Sequence, residues 1–251
     1  MELCPKIDDA RRVFRPLRRL SEVVHPQGRT IVLAFTVATL AACSTRSPLY
    51  SMHDKTCAGI GGSFECARAV EKRQLAGNPS AIRRDGRKLS IVVANGKTVA
   101  LTDTRDPNNS DGLSYSYIGT LADVGEHVVE VQYYEGNSFL LVNSKTGSKT
   151  ASLGRPVASP SGDRVVATSV DLDARYNPTA IQVWKVTTGG LEAEYLHEFD
   201  DGEKGAWGPG EPTWRGSSRI RFRKIYPFNV SRGFAELVLR PTGWVLEAGG
   251  D

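Results

Sequence analysis

Long apolar runs, cysteine, methionine and histidine are all scarce in this 251-residue chain. The longest apolar stretch, Ile31–Ala42, is only 12 residues, whereas a helix needs roughly 18–20 to cross about 30 Å of hydrocarbon. Of four histidines, His53, His127 and His197 lie beyond that stretch, none of them in a metal-binding or triad-like setting. "GGSFE" is not a nucleophile elbow, because Glu65 stands where the last Gly should be. "GIGG" lacks the Lys and the strand–helix context of a phosphate loop. No catalytic constellation is legible. An envelope hydrolase assembled from distant positions is kept as an alternative class, and no cofactor is implied.

What is present is concentrated first in the N-terminal segment. Arg11, Arg12, Arg15, Arg18, Arg19 and Arg29 precede the apolar run, which ends in Leu40-Ala41-Ala42-Cys43. A basic segment, a short apolar core and small residues form the pattern of a secretory signal. The spacing at its end resembles the lipobox of bacterial lipoproteins, which are cut just before a Cys that becomes the lipid-modified first residue. That resemblance implies a signal peptide over 1–42 and lipidation at Cys43. It also implies an anchor in the cell envelope, facing the periplasm from the outer membrane where the host has one. Several acyl chains on one residue would hold the chain to a membrane, where a single chain would not.

The formal charge of the whole chain is +4, but the leader carries seven Lys/Arg and only four Asp/Glu. The remaining 43–251 is therefore close to neutral, which leaves no general case for nucleic-acid or membrane-surface binding. Cys57 and Cys66 remain, separated by "AGIGGSFE". In an oxidising compartment a disulfide is the expected state of such a pair. A metal site recruiting His53 would have three ligands and no convincing motif, and free thiols are the third alternative.

Residues 43–62, with Pro48, read as a polar tether. "SFECARAVEKRQLAGNP" reads as a short helix within 63–87: Ser63 caps it, Glu65 suits its positive end, and Gly77 followed by Pro79 stops it. From Lys88 to the end the pattern is β-rich. "KLSIVVANGKTVALTD" places Asn95-Gly96 between two β-prone runs, a strong hairpin signal. Glu135-Gly136-Asn137 and Lys145-Thr146-Gly147 punctuate the next runs. About ten to twelve short strands with few helices predict a mainly β domain over 88–251, an antiparallel meander that is propeller-like or a curved sheet.

"SPSGDRVVATSV…IQVWKVTTGG" resembles the strand–turn rhythm of WD40-like and TolB-type propeller blades, and "NSFLLVNSKTGSKT" is a weaker second copy. The resemblance implies blades of four strands and about 40–45 residues each, of which this chain has room for three or four.

Three surface candidates follow. In "DLDARYNP", Asp171, Asp173 and Asn177 supply alternating oxygen ligands of the kind that hold Ca²⁺, but Arg175 interrupts them, and neither the Gly nor the distal Glu of a calcium loop is present. An Asx-stabilised turn is the structural alternative. In "FDDGEKGAWGPGEPTW", Asp200 and Asp201 accompany Trp207 and Trp214, either as a partner surface or as Trp rings packed between sheets. Arg219, Arg221 and Arg223 share one face of a strand, which is either a solvated face or one that meets phosphate, anionic lipid or an acidic partner. The sequence therefore points to a lipid-anchored protein of the cell envelope that acts by binding. Its expected contacts are the membrane, through its anchor, and an envelope protein partner met by the loops around Asp171–Asn177 and Asp200–Trp214; a small-ligand or Ca²⁺-binding lipoprotein is the alternative.

Overall fold

The computed structural model describes residues 47–77, 81–104, 112–200 and 205–249. Cys43 and the leader lie outside these residues, as does Asp201. The described residues are mainly β and antiparallel, with two α-helices followed by four sheets.

Helix α1 spans Pro48–Cys57, inside the segment expected to be a tether. Pro48 sits at its start, where the missing N–H costs no hydrogen bond and the fixed φ suits a helix. Burial of Leu49 holds the helix in place. Helix α2, Ser63–Gly77, has the bounds its capping residues imply. The Cys57 and Cys66 sulfurs are at bonding distance, with Cα atoms 5.0 Å apart, so the end of α1 is fastened to the first turn of α2.

Each sheet is a meander of sequence neighbours. Sheet I contains β1 (Ile82–Asp85), β2 (Lys88–Val92) and β3 (Thr98–Thr102). Its first strand lies within the segment expected to be helical. Sheet II contains β4 (Ser114–Leu121), β5 (Glu126–Tyr133), β6 (Gly136–Asn143) and β7 (Lys149–Ser152). Sheet III contains β8 (Val157–Ala158), β9 (Arg164–Ser169), β10 (Ala180–Thr187) and β11 (Gly190–Glu198). Sheet IV contains β14 (Arg219–Tyr226), β15 (Val230–Arg240) and β16 (Gly243–Ala248), with the short β12 (Gly208–Pro209) and β13 (Thr213–Trp214) both on the free edge of β14.

The sheets stack face to face in chain order. Alternation along each strand sends neighbouring residues to opposite faces, and in the middle sheets both faces are buried. Val128 packs towards sheet III and Val129 towards sheet I; Val165 packs towards sheet II and Val166 towards sheet IV. Apolar doublets such as these are what a strand covered on both sides requires. Three apolar layers result, joining I to II, II to III and III to IV. Helix α1 packs against two of these layers. Leu49 joins the II–III layer, while Tyr50 packs against the III–IV layer and donates through its hydroxyl to the Arg155 carbonyl at 3.4 Å.

Among the described residues no helix is long and apolar enough to cross a membrane.

Candidate functional site: an aromatic rim built from three hairpin ends

The connections between the second and third strands of sheets II, III and IV lie side by side. The β5–β6 turn carries Tyr134 and Glu135, the β9–β10 loop carries Asp171–Asn177, and the β14–β15 turn carries Pro227–Asn229. Tyr176 hydrogen-bonds to Glu135, and the negative charge of Glu135 raises the Tyr176 hydroxyl above its ordinary pKa. Gly136 lies against the Asn177 side chain, whose Nδ2 would stand 2.7 Å from a Cβ placed there. Asp173 accepts the Phe228 N–H on its carboxylate at 3.0 and 3.1 Å. The three hairpin ends are thus fastened to one another through polar contacts.

Their aromatic side chains point outwards. Tyr134 is 56% exposed, Tyr176 58% and Phe228 85%. Phe228 and Asn229 both occupy the left-handed region, at φ 61° and 56°. For a bulky residue such as Phe this backbone costs roughly 1–2 kcal/mol, and a side chain in solvent recovers none of it by packing. A cleft of about 220 Å³ runs between the loops, lined by Asp171–Ala174, Ile225, Tyr226 and Asn229.

The aspartates proposed from sequence as calcium ligands are engaged by the backbone. Asp171 accepts the N–H groups of Ala174 (3.2 Å), Tyr176 (2.8 Å) and Asn177 (3.0 Å), an Asx-type lock on its own loop. With Asp173 holding the neighbouring hairpin, the pair shapes the rim. The tryptophans lie elsewhere. Trp214 is 7% exposed, donates through Nε1 to the Val157 carbonyl at 3.2 Å and meets Trp244 edge-on. Trp207 is half-buried in an aromatic file, 4.8 Å from Phe199 and 6.2 Å from Phe222. Both rings pack between sheets III and IV, while Asp200 is exposed beside them.

Two His pairings bear on catalysis. His53 Nε2 lies 3.2 Å from Cys66 Sγ, but that sulfur is held in the pair with Cys57. The same three residues bring potential metal-ligating atoms within 4.8 Å of one another. On sheet II, Thr120 Oγ1 lies 2.6 Å from the Tyr117 hydroxyl and 3.0 Å from His127 Nδ1. Thr120 and His127 are directly opposed across the strands, and burial lowers the imidazole pKa.

Sequence reading placed the middle loop, 171–177, within the contact surface but missed Tyr134 and Phe228. The available signal was an aromatic residue at each turn: "YYEGN" and "YPFN" both put aromatics where Gly, Asn and Asp normally dominate. No protein-family model matches the chain, and comparisons with curated proteins and with solved structures likewise return no match.

Proposed function

We propose that this chain is a lipid-anchored protein of the cell envelope whose β domain docks a partner protein through the aromatic rim. One observation carries the binding half of this reading: Tyr134, Tyr176 and Phe228 are exposed on three interlocked hairpins, one of them on an unfavourable backbone. Aromatic anchors with little conformational freedom suit protein contacts, because little entropy is lost when they are covered. The leader and Leu40-Ala41-Ala42-Cys43 support the address. Four meanders stacked in chain order support a propeller-type reading of "SPSGDRVVATSV…IQVWKVTTGG", which runs from the turn after β8 through β9 and β10 to the first residue of β11. "NSFLLVNSKTGSKT" falls on the corresponding third and fourth strands of sheet II.

The two halves are tested separately. Intact-mass spectrometry of the membrane fraction should find an acylated chain beginning at Cys43, absent from Cys43→Ser; a soluble, unprocessed chain would defeat the address. A photo-crosslinking residue at position 176 should capture an envelope protein in cells, and the adduct should disappear when Tyr134 and Phe228 are replaced by Ser. Equal labelling from position 176 and from an exposed control such as Leu196, 57% exposed on β11, would sink the rim.

A further inference from the structure

We propose that the outer face of sheet IV carries a second site, for a ligand bearing a phosphate group next to an apolar portion. The site is an open groove of about 370 Å³, within the range of small-ligand sites (roughly 300–1,000 Å³), and Arg215, Arg221, Arg223 and Phe234 contribute to its walls. Ile225 lines both this groove and the rim cleft, so the two sites adjoin.

The cationic groups of this face divide into two sets. Arg219 pairs with Glu236 and Arg240 with Glu247. Among the described residues, Arg215, Arg221 and Arg223 have no ion-pair partner, and Glu211 is the single carboxylate lining the groove. The Phe234 ring orders two of the three: the Arg221 guanidinium carbon stands 3.9 Å from its centroid and that of Arg223 stands 4.8 Å away. Stacking on an aromatic face fixes the plane of a guanidinium while leaving its N–H edges free to donate. Arg221 Nε is also buried without a hydrogen-bond partner. A buried N–H on a cationic group is costly to leave unpaired, so the site is short of an acceptor.

The ligand class follows from donor count and shape. A carboxylate presents two oxygens, and bidentate pairing with one guanidinium uses both. A terminal phosphate presents three oxygens and up to two charges, which suits three guanidiniums around one groove. Phe234 and Ile225 offer an apolar wall for whatever carries the phosphate. A soluble phosphomonoester and the terminal phosphate of a phosphatidic acid headgroup share this chemistry.

The experiment uses the full chain, with Arg221→Gln and Arg223→Gln as test variants and the already paired Arg219→Gln as control. One arm titrates inorganic phosphate and glycerol phosphate by calorimetry; the other measures co-sedimentation with phosphatidylcholine vesicles with and without phosphatidic acid. Comparing variants with the parent subtracts any membrane affinity arising elsewhere. Thermal melts check folding, and Arg223, the more exposed residue, keeps the test open if Arg221→Gln fails to fold. Loss of about tenfold or more in affinity for each test variant, with Arg219→Gln unchanged, is the expected result. Binding in the first arm identifies a soluble phosphate ligand, and arginine-dependent binding in the second alone identifies a lipid headgroup. No binding in either arm, binding that survives both substitutions, or an equal loss in Arg219→Gln overturns the proposal.

Discussion

Phe228 and Glu126 are the residues whose positions run most clearly against their chemistry. Phe228 holds a left-handed backbone with its ring in water, so Phe228→Asn should be more stable by roughly 0.5–1 kcal/mol, because Asn tolerates that region. The Asp173 contact to the backbone N–H at 228 would persist, so partner capture should fall while the melting temperature rises. A substitution that destabilised the chain would show instead that the ring packs usefully. Glu126 is 1% exposed, and burial raises its pKa from 4.5 to about 7, opposed by the hydrogen bond from Asn143 Nδ2 at 2.8 Å. A folded-state value above the unfolded one means that the native state holds the proton longer. Stability therefore declines as pH rises from 4.5 to about 7 and levels off above that, a loss of about 3 kcal/mol. Glu130, 3% exposed and raised chiefly by burial, acts in the same direction. Glu126→Gln keeps the acceptor for Asn143 but cannot ionise. Urea unfolding should find it near the parent's stability at pH 4 and about 2–3 kcal/mol above it at pH 8; an equal difference at both pH values would refute the assignment.

At the scale of elements, α2 is joined to the sheets by charge as well as by its apolar side. Glu71, 3% exposed, and Asp103, 6% exposed, each pair with both Arg68 and Arg84. Glu71 also accepts the Tyr117 N–H at 2.8 Å, and Asp103 accepts that of Tyr115 at 2.9 Å. Strand β4 lies at the edge of sheet II, so these carboxylates satisfy amides that no neighbouring strand reaches. Glu71→Ala leaves the Tyr117 amide unpaired and Arg68 and Arg84 sharing Asp103 as their one carboxylate, and should cost about 3–5 kcal/mol in chemical denaturation. A loss below about 1 kcal/mol would class the network with exposed ion pairs. None of this cage was legible in the sequence, because its members span residues 68–117 and look like ordinary surface charges one at a time. Local signals read well. Asn95-Gly96 does turn β2 into β3, with Gly96 at φ 80°, and Gly77 ends α2. Helix α1 was missed because its support is non-local: only Pro48 announces it, while burial of Leu49 between sheets II and III holds it. The rim was half legible for the same reason: its loops are separate in sequence and become neighbours only when the sheets stack.

At the scale of the molecule, the stacking order determines where stability should reside. Sheets II and III each contribute to two apolar layers, whereas sheets I and IV each contribute to one. The strands inside the middle sheets, β5 and β6 in II and β9 and β10 in III, also have a hydrogen-bonded neighbour on either side. Neither their side chains nor their amides can open to solvent without separating two interfaces. In native-state hydrogen exchange, amides of β5, β6, β9 and β10 should therefore open only with global unfolding, while those of β11 and sheet I exchange through smaller, local openings. The exposed ends of the three hairpins should be faster still, because their order rests on a few hydrogen bonds near water. This gradient suits the proposed binding role, in which a rigid centre holds the hairpins in register and their tips retain room to adjust to a partner. If the slowest amides lay in sheet IV instead, the central core would be misplaced, and the rim would be anchored at its Phe228 end alone.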